Sequence, residues 1–221
     1  MALNYIIAIT DRDKHRKMAE LYSRLGLQPI LTNLAMGTAR SEHLALYGLD
    51  STEKAITGSI ANDEDTAKLI KAAKEQLYID IPGNGVMLAI PIKSVAGGRN
   101  LSYLSAGKEI GGRPKMEFRH ELIIAILNEG QSDSVMKAAR EAGATGGTVL
   151  HAKGTGSKET GKFLSVSIAE EKDMVYIVAK TGEKAAIMRS INEKAGPGTK
   201  AGAICFSLPI SSVVGLRESE Q

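Results

Sequence analysis

Two kinds of hydrophobic pattern alternate along the chain. Short runs of branched and apolar residues, such as Asn4-Tyr5-Ile6-Ile7-Ala8-Ile9 and Leu122-Ile123-Ile124-Ala125-Ile126, predict strands. Between them lie stretches whose apolar residues recur every three or four positions, which predict amphipathic helices. In the second half the pattern reads as a strand at Glu121–Leu127, then a helix at Gln131–Ala142 that buries Val135, Met136, Ala138 and Ala139. Ser132 is the expected N-cap and Gly143 the C′ residue. Strands follow at Gly147–Ala152, Phe163–Ala169 and Asp173–Ala179. A second helix, Glu183–Lys194, is expected to be capped by Thr181 and to bury Ala186, Ile187 and Ile191, and Ala203–Leu208 reads as a final strand. The first half follows the same plan, with helices at Lys14–Leu25 and Asp63–Glu75 and a closing strand at Val86–Ile90. The order β-α-β-β-α-β is the ferredoxin-like arrangement, here with one edge strand more at the end.

The likeness of the halves extends to residue identity. Ile9 recurs as Ile126, Leu25-Gly26 as Ala142-Gly143 and Gly37-Thr38 as Gly154-Thr155, each 117 positions later. Beyond a one-residue insertion the offset is 118: Glu53-Lys54 matches Glu171-Lys172, Ile60-Ala61 matches Val178-Ala179, and Ile90-Pro91-Ile92 matches Leu208-Pro209-Ile210. Ser94-Val95 and Arg99 likewise match Ser212-Val213 and Arg217. Ordered agreement of Gly, Pro and Arg positions predicts a tandem duplication. The fold class expected is therefore α+β, with two tandem ferredoxin-like domains at residues 1–98 and 119–221. The segment 99–118, rich in Gly, Ser, Lys and Arg, reads as a linker. Strands apolar on both faces predict that the face opposite the helices is also covered, by oligomerisation or by stacking of the halves.

Composition narrows the function. Apolar residues make up 43% of the 221 positions, enough for a buried core. Aromatics are only 4%, Trp is absent, and 28 basic residues face 25 acidic ones. That balance argues against a nucleic-acid partner, while a pI near 8.9 leaves room for a local basic site. The single cysteine, Cys205, excludes an intrachain disulfide and sits in an apolar run, as a small core residue does. His15, His43, His120 and His151 lack metal-ligand spacing, so no metal site is predicted. No nucleophile motif appears, and no catalytic residue is assigned. Asp63-Glu64-Asp65 suits a helix N-terminus and Lys14-His15-Arg16-Lys17 a solvated helix face. The opening apolar run has no basic leader and no segment reaches membrane-spanning length, so a soluble, cytoplasmic, non-membrane protein is expected.

Candidate chemistry lies in two glycine-rich loops of the second half. One leaves the second strand as His151-Ala152-Lys153-Gly154-Thr155-Gly156-Ser157-Lys158. The other runs from Gly196 through Gly198 and Lys200 to Gly202. Turned backbone N–H groups beside a lysine make an anion cradle, though neither loop has the Walker or dinucleotide pattern and each is also simply a turn. The first half's counterparts are Gly37-Thr38-Ala39-Arg40-Ser41-Glu42-His43 and Ile81-Pro82-Gly83-Asn84-Gly85, the latter with no lysine. The two halves need not bind a ligand equally.

From about His120 to Arg217 the chain resembles the PII nitrogen regulatory proteins, with the first half a divergent copy. The resemblance rests on the strand Leu122–Ile126, the helix ending in Ala142-Gly143, the turn Lys153-Gly154-Thr155-Gly156 and the closing Phe206-Ser207-Leu208-Pro209-Ile210-Ser211-Ser212-Val213-Val214-Gly215-Leu216-Arg217. It implies a trimeric sensor that binds ATP or ADP between ferredoxin-like units and acts on a protein partner through a loop after strand two. Gly154 and Gly156 fall where that loop begins. Gly196, Gly198, Lys200 and Gly202 fall in the nucleotide loop, and Arg217 on the second of two phosphate-contacting arginines. The chain departs from the pattern where Ile204 stands for a lysine (with Lys200 nearby), Gly215 for the first arginine, and Lys158 for the glutamine that serves 2-oxoglutarate. Its loop is also short and lacks the tyrosine used for modification. The resemblance thus implies a non-catalytic regulator of nitrogen metabolism that senses an adenine nucleotide, with Lys153, Lys158, Lys200 and Arg217 carrying charge recognition. The rival readings are an oligomerisation scaffold that has lost nucleotide binding and a metal-tolerance protein of the same fold class.

Overall fold

The computed structural model describes residues 2–27, 29–38, 53–92, 117–153 and 171–216. The chain divides into two compact units whose membership crosses the sequence halves. Unit 1 comprises Met1–Asn33, Lys54–Arg119 and Pro209–Gln221, and unit 2 comprises Leu34–Glu53 and His120–Leu208. The expected strand at Phe163–Ala169 and most of the 99–118 linker lie outside the described residues.

In the first half, β1 (Leu3–Asp11) leads through a 3₁₀ turn (Arg12–Lys14) into α1 (His15–Arg24). Then come β2 (Leu31–Gly37), β3 (Glu53–Asn62), α2 (Asp63–Leu77) and β4 (Val86–Pro91). The second half repeats this as β5 (His120–Asn128), α3 (Ser132–Glu141), β6 (Thr148–Lys153), β7 (Glu171–Lys180), α4 (Thr181–Ala195) and β8 (Ile204–Ile210). A short β9 (Ser212–Val214) supplies the extra edge strand. The order is the ferredoxin-like one read from the sequence.

In unit 1 the strands run β3-β1-β4-β9, all antiparallel. Ile6 and Ala8 of β1 meet Met18, Leu21 and Tyr22 of α1 and Leu69 and Ala73 of α2 in one buried cluster. Each large side chain so buried contributes about 2 kcal/mol. α2 starts at a true cap: Asn62 Oδ1 accepts from the Asp65 backbone N–H at 2.9 Å.

In unit 2 the order is β8-β5-β7-β6-β2. Ile123, Ala125 and Leu127 of β5 and Val175 and Ile177 of β7 pack against Val135, Met136 and Ala139 of α3 and Ile187 and Ile191 of α4. Three local expectations change. Ser132 and Thr181 are the first residues of their helices rather than caps; Gln131 and Lys180 hold the cap positions. Ala186 is exposed, because the buried line of α4 is Ile187, Ile191 and Ala195, at strict four-residue spacing.

Candidate functional site

The site is built at the end of β5. Asn128, its last residue, is fixed twice to the loop that follows α4. Its backbone N–H donates to the Ala201 carbonyl at 2.9 Å and its Nδ2 to the Lys200 carbonyl at 3.0 Å. On the adjoining strand, Lys172 of β7 stands directly opposite Asn128 in the antiparallel register and donates from Nζ to Asn128 Oδ1 at 2.6 Å. Lys172 is only 5% exposed. Among the described residues no carboxylate pairs with it, so its ammonium is buried on a neutral amide. A buried cation without a counter-charge is costly.

The loop itself is a tight turn. Thr199 donates from its backbone N–H to the Gly196 carbonyl at 3.1 Å and from its hydroxyl to the same oxygen at 2.8 Å. Gly202 donates in turn to the Thr199 hydroxyl at 3.3 Å. At Gly196 a Cβ would stand 2.1 Å from the Asn192 carbonyl oxygen, which makes glycine obligatory there. Gly198 and Gly202 both have positive φ. Lys200 is exposed at the turn. The structure therefore brings Gly196, Gly198, Lys200 and Gly202 together with Asn128 and Lys172. Lys153 ends β6, opposite Glu171. Gly154, Gly156, Lys158 and Arg217 lie outside the described residues.

On the other face of the same strands, His151 Nδ1 lies 2.7 Å from Asp173 Oδ1. Asp173 is buried, and its second oxygen accepts from the Gly130 N–H at 2.9 Å. The carboxylate fixes the imidazole while the ring remains exposed. Cys205 is half-buried, and burial pushes its thiol above the usual range. Among the described residues no cluster of His, Cys, Asp and Glu could hold a metal, and no helix is long and apolar enough to cross a membrane.

Asn128 and Lys172 were not singled out by sequence. The duplication held the signal: Lys172 repeats Lys54, whereas Asn128 replaces Asp11. In unit 1 Asp11 forms ion pairs with both Lys54 and Lys14, the latter at 3.2 Å. Burial alone would raise the Asp11 carboxyl, but the two ammonium groups outweigh it and hold it below the ordinary carboxylate range.

Residues 120–220 match the family model of nitrogen regulatory protein P-II, so the second half of the chain carries a P-II domain. Among solved structures, PII from Arabidopsis thaliana bound to citrate is 22% identical, the match covering 43% of this chain and 78% of that one at a TM-score of 0.34. A microcompartments protein from Desulfitobacterium hafniense is 8% identical, the match covering 96% of this chain and 97% of that one at a TM-score of 0.26. No curated protein matches the sequence.

Proposed function

We propose that the protein is a PII-like regulator whose second half senses an adenine nucleotide, ATP or ADP, and passes the signal to a protein partner in nitrogen metabolism. The observation that carries this reading is Lys172, buried on a neutral amide and tied through Asn128 to the glycine loop and Lys200. The loop supplies turned backbone and an exposed ammonium, and Lys172 supplies a charge with no carboxylate partner among the described residues; together they suit a phosphate group. Lys153, Gly154, Gly156, Lys158 and Arg217 are assigned to the same ligand by the family pattern. The protein acts without catalysis, as a cytoplasmic homo-oligomer, a trimer by the same pattern. Nucleotide occupancy shifts the population of a partner-facing conformation.

Calorimetric titration of the full chain with ATP and ADP tests this. Saturable binding is expected, with Lys172→Met weakening it at least about tenfold, a change of about 1.4 kcal/mol. Absence of binding, or equal affinity in the variant, contradicts the reading and favours the oligomerisation scaffold.

A further inference from the structure

The first half contains the same turn as the candidate site. Ile81 donates its backbone N–H to the Tyr78 carbonyl at 3.0 Å, at positions that correspond to Thr199 and Gly196. Yet the chemistry around it is reversed. Asp80 stands at the position of Gly198, Pro82 at that of Lys200, and Asp11 at that of Asn128. Asn84 fills the turn from within: its Nδ2 donates to the Tyr78 carbonyl at 3.0 Å and its Oδ1 accepts from Lys14 Nζ at 3.0 Å.

A segment from the far end of the sequence packs beside it, at Ile79 and Gly85. β9 pairs with β4 in the register Met87↔Val214, Leu88↔Val213 and Ala89↔Ser212. Ser211 adds two hydrogen bonds to the Ala89 carbonyl, from its backbone N–H at 2.8 Å and its hydroxyl at 2.9 Å. Gly215 follows with φ +79, pressed on the loop so closely that a Cβ would stand 2.2 Å from the Gly85 carbonyl oxygen and 2.3 Å from that of Ile79. Only glycine fits at this contact. The basic residue that the family pattern places at Gly215 is thus excluded by backbone.

We propose that Ser211–Gly215 is an intramolecular strap that shuts the first half's copy of the loop, so that effector binding is confined to the second half at one molecule per chain. The stoichiometry rests on the function proposed above; the strap does not. Hydrogen exchange on the full-length protein tests the strap without any ligand. The Ser211 amide, which donates to the Ala89 carbonyl, and the amides of β9 that face β4 are expected to be protected. Gly215→Val and, as a second full-length variant, Ser211→Pro are expected to expose the outer edge of β4, with its amides exchanging at least about tenfold faster. Unprotected strap amides in the wild-type protein, or an unchanged β4 edge in both variants, overturn the strap. Calorimetry with ATP reads the second part: one site per chain is expected, and two sites overturn the closure. No ATP binding refutes the nucleotide reading and the stoichiometry with it, and exchange then decides the strap alone.

Discussion

Asp11 with Lys54, and Asn128 with Lys172, occupy the same register position in two copies of one fold, the last residue of the first strand facing a lysine across the sheet. In unit 1 the pair is ionic, and Lys14 joins it to make a closed charge cluster. In unit 2 one carboxyl oxygen has become an amide nitrogen. The hydrogen bond to lysine survives at 2.6 Å, but among the described residues no carboxylate neutralises it. Backbone geometry and packing are thus separable from charge: both copies place an acceptor opposite the lysine, ionised in one and neutral in the other. The same separation holds at the loops, where one turn carries Asp80 and Pro82 and its twin carries Gly198 and Lys200.

The comparison can be broken most forcefully at the loops. Gly196→Ala forces a Cβ onto the Asn192 carbonyl oxygen and should cost about 2–3 kcal/mol in chemical denaturation. A loss under 0.5 kcal/mol would show that this end of α4 can relax. The charge cluster comes next. Asp11→Asn makes unit 1 resemble unit 2 and should cost about 1 kcal/mol near neutral pH, limited by the partial exposure of the pair. Because the folded-state carboxyl is held low, this contribution is present above the unfolded value near about pH 4 and is lost as pH falls through the folded value. Denaturation of wild type and variant should therefore converge in acid; a constant gap would contradict the ion-pair account. The smallest effect is at Tyr78, a non-glycine residue at φ 51 that ends α2. Tyr78→Gly should stabilise by about 0.5 kcal/mol, since relief of left-handed strain slightly exceeds glycine's added entropy cost. A loss of stability would mean that the exposed ring contributes packing after all.

Most of the fold was legible because strand and helix periods were clean and the halves repeat in order. Element ends were less so: Ser132 and Thr181 are good cap types, but helix starts shift by a residue with the turn that precedes them. The glycine loop of the site was legible from composition. Lys172 was not, since a lysine inside a strand looks like a solvated residue until its burial is known. Asn128 carries no motif at all; only its alignment with Asp11 shows that a charge is missing. The pairing of β2 with β6 and of β9 with β4 was also hidden, because edge pairing depends on long-range register rather than local pattern.

The most direct measurement is calorimetric titration of ATP into the Asn128→Asp variant beside wild type. Restoring the first half's carboxylate opposite Lys172 should lower ATP affinity at least about tenfold while raising the melting temperature. Unchanged affinity, with Lys172 demonstrably paired, would contradict the claim that its missing counter-charge makes the site.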